Sequence, residues 1–121
     1  MDVTEEQIVA ALMGALSKSE HDGGVLYIAE PRFDSASTVD LGGSSLSVSA
    51  NSQLAFVDSE PLANWGHACR YLVLKLEDLT VASYESRFPP PRTLGLRWRV
   101  VYKAQTVPDT VTASLIRSTS L

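Results

Sequence analysis

Hydrophobic and polar positions change period along this chain. From Thr4 the apolar residues Ile8, Ala11, Leu12, Ala15 and Leu16 recur at three- and four-residue intervals, the spacing of one helical face. Thr4 is placed to cap that helix, and Gln7, three residues on, completes a capping box. Val3 and Ile8 fit the flanking positions of a hydrophobic staple. Glu5 and Glu6 set negative charge at the positive end of the helix dipole. Gly23 and Gly24 follow, so the spacing predicts one helix of about four turns ending near Ser19.

Beyond the glycines the pattern turns to strands. "GVLYIA" has the β-branched and aromatic content of a strand over Val25 to Ala29, stopped by Pro31. "FDSASTVDLGGSS" reads as a Ser/Asp/Gly loop turning at Gly42 and Gly43. Leu46, Val48 and Ala50 then alternate with Ser47 and Ser49. Asn51 and Ser52 interrupt, and Leu54 to Val57 resume, as one bulged strand or a hairpin. Tyr71 to Leu76 and Thr80 to Ser86 predict a hairpin turning at Glu77 and Asp78. "FPPPR" forces an extended crossing. "LGLRWRVVYK" is the strongest strand, with Leu96, Trp98, Val100 and Tyr102 expected on one face and Arg97, Arg99 and Lys103 on or near the other. Thr110 to Arg117 alternates weakly after Pro108.

A helix followed by about six strands with short connections implies an antiparallel sheet. The expected fold class is α+β: an N-terminal helix packed on a curved antiparallel sheet, cystatin-like in appearance. A β-barrel or sandwich with an N-terminal helix is the alternative.

Composition narrows the function. The 121 residues are sized for one domain, 1–121, that buries a core unaided by disulfides or metal. A net charge of -4 argues against general nucleic-acid binding, which needs a positive surface. The acidic start "MDVTEEQIVA" lacks the form of a signal peptide. No apolar run approaches the roughly 18 residues of a membrane span. The expectation is a soluble cytoplasmic protein, or a domain of a larger precursor.

Candidate chemistry centres on "WGHACRY". His67 and Cys69 stand two apart, on one face of a strand and about 7 Å apart by strand rise. A thiol and its base need contact and an orienting third group, and no such set stands out. The preferred reading makes Cys69 a small buried hydrophobe and His67 a turn residue. Three Cys and His residues in total fall short of a structural zinc site. "DLGGSS" lacks the lysine of a phosphate loop. No cofactor, metal or catalytic residue is assigned.

A basic group remains: Arg87, Arg92, Arg97, Arg99 and Lys103, interleaved with Phe88, Trp98 and Tyr102. Arg97 and Arg99 point one way from their strand, suited to a carboxylate, a phosphate or an acidic surface, or to pairing with local acids.

Asp58 to Pro90, with its Trp–x–His–x–Cys–Arg–Tyr corner and a hairpin ending in Pro-Pro, resembles segments of bacterial propeptide-like or protease-associated α+β domains. The resemblance covers 33 of the 121 residues. It implies an accessory module that caps or binds another protein, and it carries no catalytic residue.

The function expected from sequence is a small non-enzymatic module binding a protein partner through Trp65, His67, Arg70, Phe88, Arg97, Trp98 and Arg99. Two alternatives stand beside it. One is a curved-sheet enzyme or ligand binder, with His67, Tyr71, Tyr102 and Asp58 in a pocket between helix and sheet. The other is a self-assembling subunit pairing edge to edge through the last strand, "TVTASLIRSTSL".

Overall fold

Two capping boxes organise the N-terminal segment where the spacing predicted one helix. In the computed structural model, which describes residues 3–41, 43–63, 66–91 and 94–112, helix α1 spans Glu5–Gly14 and is capped by Thr4 and Gln7 as expected. It stops at Gly14 with Ala15 as its C-cap. Ser17 then caps a second helix, α2, Lys18–Gly23, with Glu20 closing the second box. The predicted single helix to Ser19 is therefore corrected. Glycine ends one helix, and a Ser-x-x-Glu signature restarts the next.

At the end of α2 the chain passes Gly24. A Cβ there would lie 2.8 Å from the Glu20 carbonyl and 3.0 Å from that of Asp58, so only glycine lets helix and sheet approach this closely. Strand β1, Val25–Glu30, follows. Then come β2 (Ser37–Asp40), β3 (Ser45–Val48), β4 (Ser52–Asp58), β5 (Cys69–Lys75), β6 (Val81–Ser86) and β7 (Arg97–Lys103).

Five strands form an antiparallel sheet in the order β6-β5-β4-β1-β7, and β2 and β3 form a separate two-stranded ribbon. Among the described residues the sheet is open, with β6 and β7 as its two edges. The fold is α+β, and the barrel alternative is set aside.

The helices cover one face of the sheet. Ile8 and Leu12 pack on Leu26, Ile28, Ala55, Val57, Leu72 and Leu74. The ribbon covers the other face, where Val39, Leu46 and Val48 join Tyr27, Phe56, Tyr71 and Trp98. A strand covered on both faces loses its polar alternation, and all seven residues of β4 are buried.

Three strand expectations change. The stretch read as a Ser/Asp/Gly loop contains β2, which sends only Val39 inward. Residues 46–57 are neither one bulged strand nor a hairpin. Asn51, at φ 54°, turns the chain out of the ribbon and into the sheet, a conformation asparagine tolerates well. In β7 the register with β1 slips between Leu26 and Tyr27. This bulge sends Tyr102 to the helix face, away from Trp98 and Val100. There its hydroxyl donates to the His21 carbonyl.

After β7, Ala104 and Val107 close the ribbon-side core. Residues 109–112 are helical, because Pro108 suits the first turn of a helix better than a sheet. The weak strand predicted from Thr110 does not form at its start, and its remainder lies outside the described residues.

Candidate functional site

The corner between β4 and β5 gathers the groups with the most chemical potential. Asp58 ends β4, Cys69 begins β5, and the two are direct cross-strand partners. His67 stands just before Cys69 and is buried. Its Nε2 lies 2.8 Å from Asp58 Oδ1, and each side chain is only 6% exposed. The Glu60 amide donates to the same carboxylate oxygen at 3.1 Å. Burial pushes the Asp58 carboxyl above its ordinary range, and the His67 hydrogen bond offsets only part of that rise.

The thiol beside this pair is suppressed as a nucleophile. Cys69 is 1% exposed, and its Sγ donates to the Phe88 carbonyl at 3.5 Å. Burial pushes its pKa up to about 11, with the Asp58 carboxylate adding to the rise against a lowering hydrogen bond from Ser86. Reactive cysteines sit in exposed, electropositive surroundings that lower the pKa; this one has the opposite environment. The Asp58–His67–Cys69 group is built to hold a corner shut.

Arg70, the next residue, points to the helix face. Its Nε lies 3.0 Å from Glu20 Oε2 and its Nη2 lies 2.6 Å from Oε1. Nη2 also donates to the Ala15 carbonyl at 2.9 Å, and Nη1 to Ser83 Oγ at 2.9 Å. Ser59 and the Ser17 amide complete the ring around Glu20. Burial pushes the Glu20 carboxyl up, but the Arg70 guanidinium and these donors together hold it below the usual range. Arg70 thus locks both helices to the sheet.

The residues expected to form one contact surface are dispersed. His67 lies on the ribbon face and Arg70 on the helix face. Trp98 is buried against Phe56, ring centroids 6.2 Å apart. Arg99 pairs with Glu5 and with Glu30. Arg97 is exposed at the far edge, and Phe88 is exposed at the opposite side of the sheet, just after β6. Trp65 and Arg92 lie outside the described residues. The alternative pocket set is divided as well: Tyr71 and Asp58 stand on the ribbon face, Tyr102 on the helix face. Ile8 and Leu12 fill the space between α1 and the sheet.

The two sheet edges differ in kind. Edge strand β7, "RWRVVYK", carries three basic residues and a bulge, devices that blunt an edge against further pairing. Edge strand β6, "VASYES", carries no lysine, arginine or proline, and four of its six residues are exposed. Lys75 N–H donates to the Thr80 carbonyl, and Leu76 N–H donates to the Asn51 carbonyl. These two bonds fix the alternation of the β5–β6 ladder. Thr80, Ala82, Tyr84 and Ser86 bond inward to β5, and the backbone groups of Val81, Ser83 and Glu85 face outward.

A groove runs beside this edge on the ribbon face. Ser37, Thr38, Ser47 and Ser49 of the ribbon form one wall, and Ala82 and Tyr84 the other, enclosing about 660 Å³. Tyr84 also lines the continuation of the groove toward Leu41 and Ser45. The edge status of β6 was not visible in the sequence, since strand order is not local. The absence of protective charges in "VASYES", set against "RWRVVYK", is the signal that could have found it.

No protein-family model, curated protein or solved structure matches this chain. Among the described residues no group of three or more His, Cys, Asp or Glu side chains could hold a metal ion. No helix among them is long and apolar enough to cross a membrane.

Proposed function

We propose that this protein is a small non-enzymatic interaction module, accessory in kind as the propeptide-like resemblance implies, and that it binds protein by adding a strand at β6. The observation that supports this most is the contrast between its edges. One is charged and bulged, while the other offers three outward backbone donors and acceptors beside an open groove. Strand addition draws affinity from such main-chain bonds and specificity from side-chain sites alongside. The Asp58–His67–Cys69 corner supports the non-enzymatic half of the reading, since its thiol is buried and protonated.

The test is a selection of displayed extended heptapeptides on the protein, followed by amide spectra of the best binders. Bound peptides are expected to shift and protect the amides of Val81, Ser83 and Glu85. Ser83→Pro is expected to weaken them at least about tenfold, because it removes an outward N–H without breaking the ladder to β5. Ser83→Ala, which loses only the Oγ that accepts from Arg70, is expected to bind as wild type does. Peptides that instead perturb the Asp58–His67 corner and ignore the proline would overturn the proposal.

A further inference from the structure

We infer that the strand seated at this edge is β6 of a second copy of the chain, laid antiparallel about a two-fold axis through Ser83. The inference rests on the strand-addition reading and names its partner.

A two-fold interface requires a self-complementary strand. The outward groups of β6 belong to Val81, Ser83 and Glu85, which are symmetric about Ser83. With the axis at Ser83, Ser83 faces Ser83 of the second copy, and Val81 faces its Glu85. All three outward residues of each chain then form hydrogen-bonded pairs, and the two five-stranded sheets continue as one.

The side chains fit the same register. On the groove face, the large, exposed Tyr84 falls opposite the small Ala82 of the second copy. The only charge within the strand, Glu85, meets Val81, so no like charges oppose one another. One residue beyond β6, exposed Arg87, whose Nε donates to the Gly66 carbonyl at 2.9 Å and whose charge is otherwise turned to the surface, falls opposite Leu79, beside the acidic turn of Glu77 and Asp78. Both copies make that contact, so basic meets acidic at each end of the shared ladder. Placing the axis at Tyr84 stacks two tyrosines across it and moves Arg87 opposite Val81, losing the match.

The experiment combines sedimentation at increasing protein concentration with cysteine trapping. Wild type is expected to double in mass as concentration rises, and Ser83→Pro to remain single. Under mild oxidation Ser83→Cys is expected to give a covalent dimer, because hydrogen-bonded partners stand about 5.5 Å apart at the α-carbons, within disulfide reach. Tyr84→Cys is expected to give none. Arg87→Glu is expected to weaken association about tenfold, and Glu77→Lys in the same chain to restore it. Wild type that stays single up to millimolar concentration, with no trapping at Ser83, overturns self-pairing. Peptide protection of Val81, Ser83 and Glu85 would then still uphold strand addition. Trapping at Tyr84 in place of Ser83 overturns the register, and a dimer that survives Ser83→Pro overturns the edge.

Discussion

Arg70 and Glu20 lie 50 residues apart in the chain and meet through two parallel hydrogen bonds, of 3.0 and 2.6 Å, beneath both helices. Removing the cation strands a buried carboxylate. Arg70→Ala is therefore expected to cost about 3 kcal/mol of stability in urea unfolding. Replacing both partners, Arg70→Met with Glu20→Gln, is expected to cost less than the single change, since no unpaired charge is left behind. A double variant as damaged as the sum of its parts would show that the pair does not act as a unit.

The two buried carboxyls respond to acid in opposite senses. Glu20 is held below its ordinary 4.5 in the folded protein. Its contribution is present at neutral pH and is lost as pH falls through that folded value. Asp58 is raised above its ordinary 3.8. Its contribution is full below 3.8 and is lost as pH rises through the higher folded value. Glu20→Gln is expected to flatten the acid loss of stability, and Asp58→Asn to steepen it. Urea midpoints taken between about pH 3 and 7 check both slopes.

Cys69 is expected to resist alkylation while the fold is intact. Raising the thiol from 9.0 to about 11 cuts the thiolate fraction near neutral pH about a hundredfold. Burial should slow modification further, toward the rate of local opening. Timed labelling with iodoacetamide, native against urea-unfolded, measures the ratio. Equal rates would mean that the corner is open in solution.

How much of this was legible in the sequence depended on range. The capping box at Thr4 and the β5–β6 hairpin are local patterns, and both stand in the structure. The second capping box at Ser17 is just as local, but the apolar stripe runs through Ala15 and Leu16 and masks the break at Gly14. β2 was hidden because its one inward residue, Val39, gives no alternation to detect. The face of Tyr102 depends on a bulge set by β1, some 75 residues earlier. The Glu20–Arg70 and Asp58–His67 pairs are tertiary, so no spacing announces them. The dispersal of Arg70, Trp98 and Arg99 follows from a sheet covered on both faces, which a single sequence does not disclose.

Leu79 occupies the left-handed region, at φ 61°, where the β5–β6 turn meets β6. Its amide donates to the Lys75 carbonyl at 2.8 Å. A branched residue there carries about 1–2 kcal/mol of backbone strain, offset by packing against the helix-side core. Leu79→Gly is expected to stay within about 1 kcal/mol of wild type, trading packing for relief of strain. Leu79→Ala should be the worse change, since it loses the packing and keeps the strain. Thermal unfolding of the two variants decides the order.

The sheet order has a consequence for the growing chain. β1 is made before every other described strand, yet one of its two neighbours, β7, is the last of them, with Ala29 paired to Trp98. The segment from β4 to β6 pairs each strand with the next one in sequence and can form early. During synthesis at roughly 5–20 residues per second, the β7 side of β1 waits several seconds for its cover. That side carries the unpaired backbone of an almost wholly apolar strand, "VLYIAE". The vulnerable moment for aggregation therefore falls before residue 103 is made, and the closing pairing of β1 with β7 gives the fold its most long-range, slowest step.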